Sequence, residues 1–460
     1  GNEILNIIIE LMGSMDQGNF DEQIETCVNP EFYEIYKKRV RAFFEKIEPG
    51  DTVVLTHHND SDGIVSATLV NAFLKEKFGH SINIVYSQEL LSSQGIADLV
   101  KSVGAKHLIA TDLWIPTDEK EQEPLQELLK SGVNILDFDH HDGLHQVVTP
   151  ANEEEAEAQY SSTRPESLRN FIYPQNKNTF DYISPTRLGS KLESGNFPAG
   201  FVTYKMLKDL GADLSQYEEL LLVSASGDYS SSTWGGLLAK YPDQLKAKLF
   251  IGKLLNIAQN LKHPEDLVRY LTEKKHPLNA LETEHVGKLI ELKAWIDQKE
   301  KELRHVKPTS YSTRRTNGSY VSGIMMRKPL AFSHISESDL QHPLFQSSNG
   351  TLAENPHLTA PLSDQILESF GAGTVAVASQ FQNGDKVLSV SGRDALGHLD
   401  PNRHMGKIMK ELAPNGGGHP NAGATRVPKP ESRTPRAHLI STRKKLEGIL
   451  KQRGILTEEK

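Results

Sequence analysis

"THHNDSDGIV" (residues 56–65) sets His57, His58, Asp60 and Asp62 directly behind the apolar run Val53-Val54-Leu55. A turn can be built from Asn, Asp, Ser and Gly alone. Imidazoles interleaved with carboxylates are instead the donor set of a Mn²⁺, Zn²⁺ or Fe²⁺ site. The stretch reads as the end of a strand, with a helix following from about Ile64 to Phe78.

The same pattern recurs downstream. "HLIATD" ends in Asp112, "ILDFDHH" in Asp139, His140 and His141, and "ELLLVSASGD" in Asp228. In an open parallel sheet the C-terminal strand ends line one crevice, and ligands bind there. Such a sheet would gather His58, Asp60, Asp62, Asp112, Asp139, His140, His141 and Asp228 at one edge. So many carboxylates cannot all stay ionised at close range without a counter-charge. Two divalent ions suit this number of donors, and a pair of ions activates water and clamps a phosphate. Each piece has a plainer reading alone: Asp62-Gly63 as a turn or helix cap, Asp112 and Asp228 as loop caps, His140-His141 as surface. Joint placement at successive strand ends favours the metal. His57 reads as end-of-strand packing.

The 460-residue chain carries a net charge of −9, which supplies no global attraction for a polyanion. Cys27 is the only cysteine, so no internal disulfide is available, and a cytoplasmic location is expected. No apolar run approaches the roughly 20 residues that span a bilayer. "ILNIIIELM" near the start reads as an apolar helix face rather than a signal peptide.

Residues 1–48 read as a helical extension ending at Pro49-Gly50. Residues 49–244 alternate apolar strands with amphipathic helices, the pattern of an α/β domain with a parallel sheet covered by helices on both faces. The acidic, polar segment at about 150–185 interrupts it and reads as a surface excursion. Residues 245–306 are helical and charge-rich and read as a connector. Residues 307–430 form a smaller α/β unit with strand candidates "GSYVSGIMM", "GTVAVASQF" and "KVLSVSGRD". Residues 431–460 form a basic C-terminal helix or tail.

In order along the chain, "HNDSDG" (58–63), "TD" (111–112), "DHH" (139–141) and "SGD" (226–228) resemble the four motifs of the DHH phosphoesterase superfamily. "GGGHPNAGA" (416–424) resembles the signature of the DHH-associated C-terminal domain. The first motif is closer to the RecJ-like, single-strand-specific exonuclease branch than to the oligoribonuclease branch. "SASGD" departs from the usual fourth motif, and no stretch resembles the additional nucleic-acid-binding barrel of bacterial RecJ.

The resemblance implies two Mn²⁺ ions, with Mg²⁺ or another divalent ion as substitutes. His58 and Asp60 would bind the first, Asp62, His140 and Asp228 the second, and Asp112 would bridge them. His141 would touch the scissile phosphate or act as general acid, with Asp139 orienting the histidines. Arg393 would hold the substrate phosphate, and Gly416, Gly417, Gly418 and His419 would form an anion-binding nest. Arg314, Arg315, Arg327 and Lys328 could add charge, although a solvated face explains most of them.

The expected activity is Mn²⁺-dependent hydrolysis of single-stranded DNA or RNA from the 5′ end by two-metal activation of water. A phosphodiesterase or phosphatase of short oligonucleotides, cyclic dinucleotides or nucleotide bisphosphates is the second reading, favoured by the acidity and the missing barrel. A catalytically silent replication-associated scaffold is the third. No membrane partner is expected, and a homodimer stays open.

Overall fold

The structure, a computed structural model, describes residues 19–114, 119–141, 180–192, 194–228, 230–242, 245–274, 284–304, 330–346, 352–353, 356–371, 374–382, 385–397, 399–418 and 421–456. The chain divides into two compact units. One comprises residues 1–259 and 263–287, the other 260–262 and 288–460.

The first unit begins with helices α1 (Phe20–Thr26) and α2 (Pro30–Glu45). Asn29 caps α2 by accepting from the N–H groups of Glu31 and Phe32, and Pro30 occupies the first turn, where its missing N–H costs nothing. Phe43 and Phe44 on α2 are buried. Phe43 packs edge to face on His107 of the sheet, so α2 is part of this core, while residues 1–18, with "ILNIIIELM", lie outside the described residues.

Five strands follow: β1 (Thr52–His57), β2 (Asn83–Ser87), β3 (His107–Thr111), β4 (Asn134–Phe138) and β5 (Phe180–Ile183). They form an all-parallel sheet in the order β2-β1-β3-β4-β5. Helices α3 (Ser61–Phe78), α4 (Gln94–Ser102) and α5 (Glu119–Lys130) connect the first four strands. Val54, Leu108, Ala110, Ile135 and Phe180 point to one face and pack with Ile96, Val100, Leu125 and Leu128 of α4 and α5. The opposite face is covered by α2, α3 and α6 (Ala199–Asp209). Both faces are therefore buried, which explains why the strands read as continuous apolar runs. The chain reverses its direction of travel across the sheet between β1 and β3, the place where open α/β sheets bind ligands.

Several expectations need correction. The run "LLLVSASG" forms helix α7 (Leu220–Gly227), not a strand. All of its residues are buried, so its apolar positions show no amphipathic period that would separate helix from strand. Of the surface excursion expected over 150–185, residues 180–183 instead form the sheet strand β5, and residues 150–179 lie outside the described residues. Helix α3 starts at Ser61 rather than Ile64, because the Asp60 carboxylate caps it by accepting from the Gly63 N–H at 3.0 Å. Helices α8 (Leu245–Leu255) and α9 (Glu265–Lys274), expected as part of a connector, pack on α7 and α3 of the first unit. The boundary between the units falls within α10 (Glu284–Arg304).

The second unit has a sheet in the order β6-β7-β8-β10-β9, built from β6 (Leu330–Ile335), β7 (Val375–Gln382), β8 (Val387–Arg393), β9 (Gly417–Gly418) and β10 (Ala422–Pro428). Only the β6–β7 pair is parallel. Helix α11 (Thr359–Phe370) packs on β7 and β8. Val375, Val377, Leu388 and Val390 pack with α12 (Met405–Leu412) and with Leu446, Ile449 and Leu450 of α13 (Pro435–Gln452). The basic C-terminal segment is thus a core helix with its charges turned outward. "GSYVSGIMM" lies outside the described residues.

Candidate metal centre

Each element of the first unit delivers its acid or imidazole for a local reason. β1 ends at His57, which is fully buried and whose ring nitrogen Nδ1 lies 2.8 Å from the His58 carbonyl oxygen. His57 stands outside the ligand clusters, in keeping with a packing role. His58 is partly open and points its Nδ1 at Asp60 Oδ2 (2.8 Å) and Asp112 Oδ2 (3.4 Å). Asp112 directly follows β3 with φ 59°, the left-handed region that Asp and Asn tolerate best among non-glycine residues. Its N–H donates to the Phe138 carbonyl at 2.7 Å, which fixes this turn against the end of β4.

After β4, His140 and His141 flank the same carboxylate from the other side. His140 Nε2 lies 3.3 Å from Asp112 Oδ1, 3.5 Å from Asp228 Oδ2 and 3.7 Å from Asp62 Oδ2. His141 Nδ1 lies 3.6 Å from Asp112 Oδ1 and 2.5 Å from Asp139 Oδ1. Asp139 Oδ2 in turn accepts from the Tyr182 hydroxyl at 2.7 Å. Three groups of donors, each with atoms within 4.8 Å of one another, result: His58, Asp60 and Asp112; Asp62, His140 and Asp228; and Asp112, His140 and His141. Asp112 and His140 each belong to two of them.

Asp62 has a structural role as well. Its carboxylate accepts from the N–H groups of Ala199 (2.7 Å) and Gly200 (2.8 Å) and from the Ser224 hydroxyl (2.6 Å). It therefore caps α6, whose own N-cap residue, Pro198, offers no side-chain acceptor. Asp228 arrives from the C-terminal end of α7, where the helix dipole disfavours a carboxylate unless a cation stands by.

Sequence reading missed Asn256, at the end of α8. Its Oδ1 accepts from the Ser61 hydroxyl at 2.7 Å and its Nδ2 donates to the Gly227 carbonyl at 2.9 Å. This clamp joins the first motif to the turn carrying Asp228. Tyr182 and Ser224 were missed too, because only the pairing of β5 with β4 and the packing of α7 on α3 bring them near.

Without metal the centre balances its charge with protons. Burial and then the neighbouring Asp112 push the Asp62 carboxyl up to about 6. Burial and then Asp62 also raise Asp228 well above the usual carboxylate range. Burial alone would lower His58 and His140. For His58 the Asp60 and Asp112 carboxylates outweigh it, and for His140 those of Asp228, Asp112 and Asp62, so both are raised well above the ordinary imidazole value. Burial would raise Asp60 and Asp139, but His58 and His141 respectively hold them low.

The residues fit a pair of divalent cations. Asp112 Oδ1 and Asp228 Oδ2 are buried and accept no hydrogen bond among the described residues. A mixed imidazole–carboxylate donor set without cysteine suits Mn²⁺ or a similar ion.

A pH dependence follows. Stability from the raised Asp62 carboxyl is fully present below its unfolded value of 3.8 and lost as pH rises through about 6. Stability from the raised His58 and His140 is present below 6.5 and lost as pH rises through their higher folded values. Metal binding displaces these protons, so the two trends oppose each other. The rise in thermal midpoint produced by saturating Mn²⁺ is expected to be larger at about pH 8 than at about pH 5.5. A rise independent of pH would contradict the assignment of these groups as ligands.

In the second unit, Arg393 ends β8 with its Nε 2.5 Å from Asp364 Oδ1 of α11. The glycine run is not an open nest over its described part. The Gly416 N–H already donates to the Ala413 carbonyl, and Gly417–Gly418 pairs with β10 as a short strand. Close approach accounts for two of the glycines. A Cβ on Gly416 would stand 2.1 Å from the Met409 carbonyl oxygen, and one on Gly418 (φ 132°) 2.3 Å from that of Ala422. His419, Arg314, Arg315, Arg327 and Lys328 lie outside the described residues.

No family model matches the sequence, and no curated protein matches it either. Solved structures do. The chain is similar to RecJ from Thermus thermophilus in complex with Mn²⁺, with 16% identity and a TM-score of 0.55, covering 92% of this chain and 55% of that one. It is also similar to the DHH domain of a member of the S1p family of ribosomal proteins, with 14% identity and a TM-score of 0.57, covering 100% and 99% of the two chains. The chain spans about half the length of RecJ. The fold is thus the DHH-type α/β fold with a smaller second α/β unit, as the motif resemblance implies. No helix of the described residues is long and apolar enough to cross a membrane.

Proposed function

We propose that the chain is a DHH-superfamily phosphoesterase that uses two divalent ions, Mn²⁺ foremost, to hydrolyse phosphodiester bonds of single-stranded nucleic acid. One observation carries this reading: Asp112 stands both in the donor cluster with His58 and Asp60 and in the one with His140, and a carboxylate has an oxygen for each of two neighbouring cations. When bound, such ions lower the pKa of a water and offset negative charge developing on the phosphoryl oxygens. His58, Asp60 and Asp112 would hold one ion, and Asp62, His140 and Asp228 the other, with Asp112 reaching both.

The protein's own groups orient the rest. Asp139 engages His141 at Nδ1, and Tyr182 fixes Asp139 from behind. So oriented, His141 would meet the substrate, either holding a non-bridging phosphate oxygen or giving a proton to the leaving oxygen. In the second unit Arg393, steadied by Asp364, carries a guanidinium suited to phosphate, in line with the substrate-binding role that the motif resemblance implies for it.

Stepwise attack from the 5′ end is the finer reading, drawn from the RecJ-like first motif. A panel of end-labelled DNA and RNA oligonucleotides of graded length plus cyclic dinucleotides, with Mn²⁺, tests it. Cleavage of long single strands with label released from the 5′ end is expected. A rate collapsing beyond a few nucleotides would replace this reading with a short-substrate phosphodiesterase. No Mn²⁺-dependent turnover on any of them would point to the scaffold.

A further inference from the structure

The phosphate-directed groups of the centre would grip any phosphoester, and none of them recognises a base. Two residues beyond Asp112 the chain presents Trp114. It is 44% exposed, whereas its neighbours Asp112 and Leu113 are each only 1% exposed. Its ring stands 6.0 Å from that of His141, centroid to centroid, at an interplanar angle of 71°. The ring thus offers an open aromatic face beside the imidazole proposed to meet the phosphate, and such a face can pack against a flat group of a ligand. The plane is neutral, so it selects for a flat apolar group rather than for the phosphate itself. Nucleobases stack on such platforms whatever their sequence.

We propose that Trp114 stacks against the nucleobase adjoining the scissile phosphate, making base-bearing phosphodiesters the substrate class of this centre. This rests on the phosphodiesterase reading above. It assigns the discrimination between nucleotides and other phosphoesters to one exposed side chain.

The test compares wild type with Trp114→Ala and Trp114→Phe on two Mn²⁺-supplemented substrates, a dinucleotide and its counterpart lacking one base. The ratio of kcat/KM for the base-bearing over the abasic substrate is expected to fall about 10- to 100-fold in Trp114→Ala, mainly through KM, and to be largely kept in Trp114→Phe. A second readout needs no turnover. A 2-aminopurine dinucleotide mixed rapidly with wild type should lose fluorescence before cleavage, and Trp114→Ala should abolish that phase. An unchanged ratio in Trp114→Ala overturns the proposal, as does an equal loss on both substrates. If wild type shows the Trp114-dependent quench but cleaves neither substrate, the phosphodiesterase reading fails and the stacking site survives.

Discussion

Asp112→Asn is expected to abolish Mn²⁺-dependent hydrolysis, by on the order of 10³-fold or more, while leaving the protein folded. Loss of a partner one step removed from a metal costs about 10–100-fold. Asp112 is closer than that: its two oxygens face His58 on one side and His140 and His141 on the other. An amide offers one weak acceptor where the carboxylate offers two charged ones. Asn is the informative substitution because residue 112 has φ 59°, a conformation that Asn adopts at little cost and Ala does not. Circular dichroism and the thermal midpoint of the metal-free variant check the fold. Cleavage at the wild-type rate would remove Asp112 from the chemistry.

Gly63→Ala is expected to destabilise the first unit by about 3 kcal/mol or more and to silence the centre. On an ordinary helix surface the same change is favourable by about 1 kcal/mol, because Ala is the better helix former. Here an added Cβ would lie 2.3 Å from the His58 carbonyl oxygen and 2.8 Å from the His58 Cβ. These atoms belong to the backbone and stem of a candidate ligand, so they cannot step aside without moving the imidazole. The helix start would also shift, and with it the Asp60 carboxylate that caps Gly63. Urea unfolding separates the outcomes by sign: a stabilised variant would show that the loop has room.

Much of the centre is legible in the sequence because acids and histidines there follow apolar strands. Asp60, Asp112 and Asp139 lie just beyond β1, β3 and β4, where a parallel sheet must put them at one edge. Asp228 shows the limit of that reasoning. Its apolar run is a helix buried on all sides, and a short run without polar interruptions carries no period to tell helix from strand. β5 escaped notice for another reason, since "FDYI" is only four residues long and follows a polar segment. Ser224, Asn256 and Tyr182 bear no local mark at all. Each acts through a hydrogen bond to a residue more than 25 positions away, which no window along the chain contains. In the second unit Arg393 does end a strand, as its apolar run implies. The glycines resembled an anion nest, but steric closeness to α12 and β10 already explains two of them.

Anomalous scattering from crystals grown with Mn²⁺ would reveal whether two ions sit at the Asp112 carboxylate. Two Mn²⁺ peaks flanking the Asp112 carboxylate are predicted for the wild type, with at least one lost in Asp112→Asn. A wild-type map with no peak between β1, β3 and β4, or two peaks that persist in Asp112→Asn, would contradict the account.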